Sequence, residues 1–159
     1  MKKQVCLGGS CNPTTWRADI AIPALLAAGV GLYNPQVDDW SGQNAKYKAA
    51  GIPGGITEVE GNEKRDSQEL LFVIDGQTRA IASILEATEY AASGRRVTLV
   101  INDIPDGTVV ENQIITGREL KDLNRARAYL LDVAKRHSGN VSVFPDVESA
   151  VANLIEKLK

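Results

Sequence analysis

The chain has 159 residues, of which 43% are hydrophobic and 24% are charged, the composition of an ordinary globular domain. We therefore expect a single domain over residues 1–159. Lys and Arg total 18 against 20 for Asp and Glu, so the formal net charge is -2. This balance disfavours a dedicated nucleic-acid-binding protein, because that function needs a strongly basic face.

The apolar and cysteine patterns disfavour two further classes of protein. The longest apolar run, Ile20 to Val30, contains Pro23 and falls short of the ~20 residues that a membrane span needs. The chain start lacks the apolar core of a secretory signal. Cys6 and Cys11 have no CxxC spacing and only one His accompanies them, so we expect no metal site. The simplest interpretation is a cytoplasmic protein with no membrane or nucleic-acid partner.

Apolar runs of strand length alternate with amphipathic segments of helix length, a pattern typical of βα units around a parallel sheet. The predicted strands are Gln4 to Leu7, Val30 to Tyr33, Leu70 to Ile74, Arg96 to Ile101 and Asn140 to Phe144. The predicted helices are about Thr15 to Ala28, Gln77 to Ser93, Glu119 to His137 and Asp146 to Leu158, with Gly29 and Gly94 ending the first two and Asp146 capping the last. This order predicts an α/β fold with a single, doubly wound, five-stranded parallel sheet, flavodoxin-like or Rossmann-like.

Ligands of such sheets bind beyond the carboxyl ends of the strands, so the loops that begin at Gly8, Asp75 and Asn102 are the first candidates for a site. The stretch from Asp38 to Gly61 is long and reads as irregular. Its pattern leaves two interpretations equally open, a lid over a site or a floppy surface excursion.

The first of these loops carries several groups that suit a sugar or a phosphate. Two glycines allow a ligand to approach the backbone, and hydroxyl and amide side chains follow at a predicted helix start. These residues are Gly8, Gly9, Ser10, Asn12, Thr14 and Thr15. The loop is neither a P-loop nor a dinucleotide fingerprint. A capped, purely structural turn is the alternative.

The helix predicted after the third strand has two faces. Ile81, Ile84, Leu85 and Thr88 are expected to pack, and Ala82, Ser83, Glu86 and Glu89 to look outward. Small side chains before Glu86 would let a substrate reach its carboxylate. The alternative is a glutamate that merely solvates the helix.

The segment Tyr33 to Trp40 combines an aromatic ring with two carboxylates. Trp40 could stack on a base while Asp38 or Asp39 bonds to the base edge or to a sugar hydroxyl. A turn followed by a packed Trp is the alternative. The charged run Glu60 to Arg65 is interpreted as a solvated helix turn.

Three blocks of the sequence resemble the nucleoside 2-deoxyribosyltransferase-like family: LGGSCNPTTWR from Leu7, YNPQVDDW from Tyr33, and the strand–helix–strand unit Leu70 to Ile101. The resemblance extends from about Val5 to Asp103. It implies a small flavodoxin-like sheet, a nucleoside or nucleotide as small-molecule substrate, and a homo-oligomer. It implies no cofactor.

The resemblance also implies roles for particular residues. Glu86 falls in register with the family's catalytic glutamate and would attack C1′ of the sugar to form a covalent glycosyl-enzyme. Asp75 is the candidate acid that helps the base to leave. The loop from Gly8 to Asn12 would hold the sugar or phosphate.

The chain departs from the family pattern at several positions. Ala82 and Ser83 replace glycines, and an aspartate of the family falls near Asn62, with Glu60 and Glu63 as neighbours and no role assigned. Asn112 is the candidate for an asparagine that a neighbouring subunit lends to the site.

Other functions remain open at this point. No arginine precedes Arg17 in the first loop, so a nucleoside and a nucleotide are both open as substrates. An NAD-type glycohydrolase and a non-catalytic nucleotide-binding regulatory module are the alternative functions.

Overall fold

The computed structural model describes residues 3–159; Met1 and Lys2, which the single-domain prediction includes, lie outside this range. Its strands are β1 (Val5–Gly9), β2 (Leu32–Tyr33), β3 (Glu69–Ile74), β4 (Val97–Ile101), β5 (Thr108–Val110), β6 (Gln113–Ile115) and β7 (Val141–Phe144). Five of them form a parallel sheet in the order β2-β1-β3-β4-β7, and β5 and β6 form an antiparallel hairpin. The five predicted strands are therefore confirmed.

Helices fill the connections between the strands. They are α1 (Ile22–Ala27), which continues a π-helical turn at Arg17–Ala21, α2 (Trp40–Ala49), α3 (Gly55–Asp66), α4 (Ile81–Ala92), α5 (Gly117–Arg136) and α6 (Val147–Leu158). Within residues 3–159, every helix is too short or too polar to cross a bilayer. The predicted helix ends at Gly29 and Gly94 have φ of 74° and 82°, and Asp146 caps α6 by accepting from the Ser149 N–H at 2.7 Å.

The sheet is covered on both faces, which confirms the doubly wound α/β fold. Along β3, Leu70, Phe72 and Ile74 pack toward the side of α4 and α5. Leu71 and Val73 pack toward the side of α1 and α6. This alternation follows from the two-residue period of a strand, and it decides on which side of the sheet each following loop residue begins.

The face of α4 that packs differs from the predicted one. Ser83, Ile84, Ala87 and Ala91 are buried against the sheet side, whereas Ile81 and Leu85 are 58% and 67% exposed. Small alanines let the helix lie close to the strands, so packing with the sheet overrides the stripe of larger apolar residues.

The prediction of an irregular stretch from Asp38 to Gly61 is wrong, because the structure has two helices there, α2 and most of α3. Helix α2 buries no residue. A helix without an apolar stripe gives no periodic signal in the sequence, which is why the pattern read as irregular. The hairpin of β5 and β6 was also missed, because each strand has only three residues.

Arg127 of α5 is fully buried and connects two loops. Its guanidinium donates to the carbonyl oxygens of Asp75 at 2.6 Å, Thr78 at 2.9 Å and Asn102 at 2.8 Å, all beyond the carboxyl ends of β3 and β4. Buried carbonyl groups need such partners, since an unpaired one costs free energy.

We predict that Arg127→Met lowers the free energy of unfolding by about 3 kcal/mol, because a hydrogen-bonded buried charge is lost and carbonyl groups are left unpaired. Urea unfolding measures this change. Arg125→Met is the matched control, since Arg125 is exposed on the same helix. Its expected effect is within about 0.5 kcal/mol. Equal losses in the two variants would contradict this role of Arg127.

Candidate active site

A cleft of about 430 Å³ opens at the carboxyl end of β1, between α3 and α4. The residues that line it come from the first loop, from the segment before α2, and from the facing sides of α3 and α4. They are Gly8, Gly9, Ser10, Cys11, Asn12, Pro35, Val37, Trp40, Glu60, Lys64, Ala82, Ser83 and Glu86. The structure therefore brings most of the predicted site residues together.

The floor of the cleft is the end of β1, which runs two residues further than predicted. Gly8 lies opposite Phe72 of β3, and a Cβ on Gly8 would come within 2.7 Å of the Phe72 ring. Gly9 has φ of 115°, and a Cβ there would collide with the carbonyl oxygen of Val73. Both positions thus need glycine to keep the strand in register, and the missing side chains leave the floor open to a ligand.

The loop after Gly9 is fixed by hydrogen bonds beneath it. The Thr14 hydroxyl donates to the carbonyl oxygens of Cys11 at 2.6 Å and Ser10 at 3.0 Å. The Gln36 side chain donates to Cys11 O at 2.8 Å. Ser10 and Asn12, which line the cleft, are carried on this fixed backbone.

Arg17 supports the same loop from the interior. It is fully buried, and its guanidinium donates to the carbonyl oxygens of Leu7, Gly9 and Ser10 at 2.8 to 3.2 Å. It also stacks 4.4 Å from the centroid of the Trp16 ring. Burial lowers the pKa of Arg17. The guanidinium of Arg17 thus holds the backbone of the loop from beneath.

Glu86 lies on α4 with its side chain 38% exposed at the cleft. Its Oε2 accepts a hydrogen bond from Nζ of Lys64, whose own side chain is only 11% exposed. Among residues 3–159, Oε1 accepts no hydrogen bond. The carboxylate is therefore held on one side and free on the other.

A second carboxylate, Glu60, lies one turn before Lys64 on α3 and lines the same cleft. Burial raises the pKa of Glu60, and the charge of Glu86 adds to that rise, against the opposing charges of Lys64 and Arg17. Burial lowers the pKa of Lys64, but the hydrogen bond and charge of Glu86, with the charge of Glu60, outweigh it and raise this pKa. The cleft thus holds two carboxyl groups in different environments with one ammonium group beside them.

The prediction of a solvated helix turn from Glu60 to Arg65 is wrong for Lys64, which is buried. Glu60 is half-buried. Sequence reasoning missed both residues because hydropathy cannot show which charges of a run face inward. The spacing of four between them was the available signal, since it puts them on one side of a helix.

The structure separates Asp75 from Glu86. Asp75 lines a different hollow of about 290 Å³, together with Trp16 and Val147, on the side of the sheet that α6 covers. One carboxylate oxygen accepts from the Gln77 N–H at 2.7 Å and the other from the Thr78 hydroxyl at 2.9 Å. This placement does not support the acid role expected for Asp75.

The aromatic-acidic segment is divided by the start of α2. Trp40 lines the cleft and is 49% exposed. Asp39 caps α2 by accepting from the Gly42 N–H at 2.9 Å. Asp38 is exposed and does not line the cleft. The structure thus brings only Trp40 of these three to the site.

Asn112 and Asn62 also lie outside the cleft of this chain. Asn112 forms the exposed turn of the β5–β6 hairpin with Glu111, and both have positive φ. Its expected contribution to a neighbouring subunit stays a prediction. Asn62, on α3, accepts a hydrogen bond from Arg65 at 2.7 Å.

Comparisons with known proteins show the family and the fold of the chain. The family described as nucleoside 2-deoxyribosyltransferase like matches residues 2–104. A crystal structure of a conserved protein from Enterococcus faecalis V583 has a TM-score of 0.60 with this chain at 17% sequence identity, with 100% of both chains covered. That similarity shows a shared fold. No curated protein matches the chain. Because the family match extends over more than half of the chain and includes every residue of the cleft, the chain belongs to the nucleoside 2-deoxyribosyltransferase-like family.

Proposed function

We propose that this protein cleaves or exchanges the N-glycosidic bond of a nucleoside or nucleotide, with Glu86 as the nucleophile. The observation that carries the proposal is the carboxylate of Glu86, which lines the open cleft and accepts a hydrogen bond from Lys64 at one oxygen. Membership of the family supports glycosyl transfer as the kind of reaction.

In the first step, an oxygen of Glu86 attacks the anomeric carbon of the sugar as the bond to the base breaks. The transition state resembles an oxocarbenium ion, and the product is a glycosyl ester of Glu86. A water molecule or a second base then attacks the same carbon and releases Glu86.

We propose Glu60, in place of Asp75, as the acid that protonates the departing base. Glu60 lines the cleft with Glu86, whereas Asp75 does not. A raised pKa suits this role, because the group must hold a proton near neutral pH.

Trp40 and the first loop are proposed to bind the two halves of the substrate. The exposed ring of Trp40 offers an apolar face on which a base can stack. Ser10 and Asn12 offer hydrogen bonds to the sugar or to a phosphate on it, above the bare backbone of Gly8 and Gly9.

A non-catalytic nucleotide-binding module is the other function that a cleft of this kind could serve. That function predicts a fully solvated Glu86. The side chain is instead 38% exposed and hydrogen-bonded to Lys64, which favours the enzyme. Nothing in the cleft favours an NAD-type glycohydrolase over base release from a smaller substrate.

We predict that Glu86→Gln lowers the rate of base release from the best nucleoside or nucleotide substrate by roughly 10³-fold or more, because the amide is a poor nucleophile. Chromatography of the free base measures this rate, with and without a second base. Glu89→Gln is the control, since Glu89 is exposed on the same helix. Similar activity in Glu86→Gln and the wild type would refute the proposed nucleophile.

We predict that activity declines as the pH rises through the pKa of Glu60, because deprotonation removes the proton that the base needs. Burial raises this pKa, so the decline is expected above the usual range of a glutamate. Glu60→Gln should lower kcat by roughly 10²-fold and flatten the decline. Glu58→Gln, an exposed residue of the same helix, is the control. An unchanged pH profile in Glu60→Gln would assign the acid role elsewhere.

We predict that Trp40→Ala raises KM about tenfold with a smaller change in kcat, since stacking of a base on an aromatic ring contributes ~1–3 kcal/mol. Trp40→Phe should recover part of the affinity. Steady-state kinetics measure both constants. A KM that stays at the wild-type value in Trp40→Ala would show that the base binds elsewhere.

A further inference from the structure

The side chain of Lys64 is buried, but it is not needed to hold the backbone of α3. The carboxyl end of α3 is already fixed, because Arg95 donates to the carbonyl oxygens of Lys64 at 2.9 Å and Ser67 at 2.8 Å. The Ser67 hydroxyl also donates to Glu63 O at 2.7 Å. The lysine side chain is therefore free to serve the cleft, and burial of an ammonium group is costly unless it has a charged partner.

The two carboxyl groups that face Lys64 lie on different helices. Glu86 of α4 accepts its hydrogen bond. Glu60 precedes Lys64 by four residues on α3, so the two side chains are neighbours on one side of the helix. Glu60 and Lys64 form no ion pair within 4.0 Å in this state, while Lys64 and Glu86 do.

We propose that Lys64 is a positioning residue that pairs with Glu86 in the resting enzyme and with Glu60 once the sugar is bound covalently. This inference rests on the function proposed above. In the resting state Lys64 fixes Oε2 of Glu86, so Oε1 is the oxygen that meets the sugar.

The exchange of partner follows from the balance of charge in the reaction. An oxygen of Glu86 forms a bond to the anomeric carbon, and the electron pair of the broken carbon–nitrogen bond goes to the base, which takes the proton of Glu60. Glu86 is then a neutral ester and Glu60 a carboxylate. The three groups carry a net charge of zero before and after this step, but the negative charge moves from Glu86 to Glu60. The ammonium group of Lys64 then has its anionic partner on α3 instead of on α4.

The second step reverses the exchange. Water or a second base attacks the anomeric carbon and gives a proton to the carboxylate of Glu60, while Glu86 leaves with the electron pair of the ester bond. Lys64 then returns to Glu86. A flexible lysine suits this movement, since its ammonium group can turn between two neighbours without moving either helix.

The test is single-turnover release of base by Lys64→Met, Lys64→Gln and Lys64→Arg, with steady-state KM and kcat measured in parallel. Lys46→Met, an exposed position of α2, is the matched control. We expect the two neutral variants to release base about a hundredfold more slowly with KM within about threefold of the wild type, and Lys64→Arg to recover about tenfold of that loss, as expected for removal of a group that acts on the transition state. Melting temperatures establish that each variant is folded, and Lys64→Gln replaces Lys64→Met if the latter is not.

A double-mutant cycle with Glu60→Gln tests the exchange itself. If Lys64 supports Glu60 as its proton leaves, the two losses are not independent. The double variant should then release base about tenfold faster than the rate obtained by multiplying the two single losses. A rate equal to that product overturns the exchange of partner. If the neutral Lys64 variants are as fast as the wild type, the positioning role is overturned. The proposed function still stands in that case, provided that base release depends on Glu86. A wild type that releases no base overturns both.

Discussion

Two buried guanidinium groups, those of Arg17 and Arg127, fix the irregular backbone on which the site depends. Where parallel strands end, carbonyl groups lose their partners in the sheet, and buried carbonyls must find others. Arg17 supplies donors to the loop after β1, and Arg127 to the loops after β3 and β4. Each guanidinium carries several donors in a rigid plane, which suits a cluster of carbonyl oxygens. The carboxyl edge of the sheet is thereby held in one shape without side chains filling the cleft above Gly8 and Gly9.

Two helices that face each other across the cleft place the charged side chains of the candidate site above this fixed edge. Helix α4 contributes Glu86, and α3 contributes Glu60 and Lys64. Burial and neighbouring charge place the two carboxyl groups in different environments, which is what the proposed nucleophile and the proposed acid need. In the proposed mechanism, the ion pair between α3 and α4 links the position of Glu86 to the protonation of Glu60.

Much of this fold could be predicted from the sequence, because the strands are continuous apolar runs and glycines mark the helix ends. The residues around Glu86 were less predictable. The sequence pattern puts Lys64 in a solvated turn and does not mark Arg17 and Arg127 as buried, since hydropathy records residue type and cannot show which charged groups find buried partners. Asp75 follows β3 at the expected edge. The two-residue period of the strand puts Asp75 on the side of Val73, away from α4. This period could have been used to predict from the sequence that Asp75 lies apart from Glu86.

Mass spectrometry of the acid-quenched enzyme with its substrate tests the central claim most directly. The account predicts an adduct equal in mass to one glycosyl group, located on the peptide that contains Glu86 and absent from Glu86→Gln. Release of base with no such adduct, or an adduct on another residue, would contradict a covalent role for Glu86.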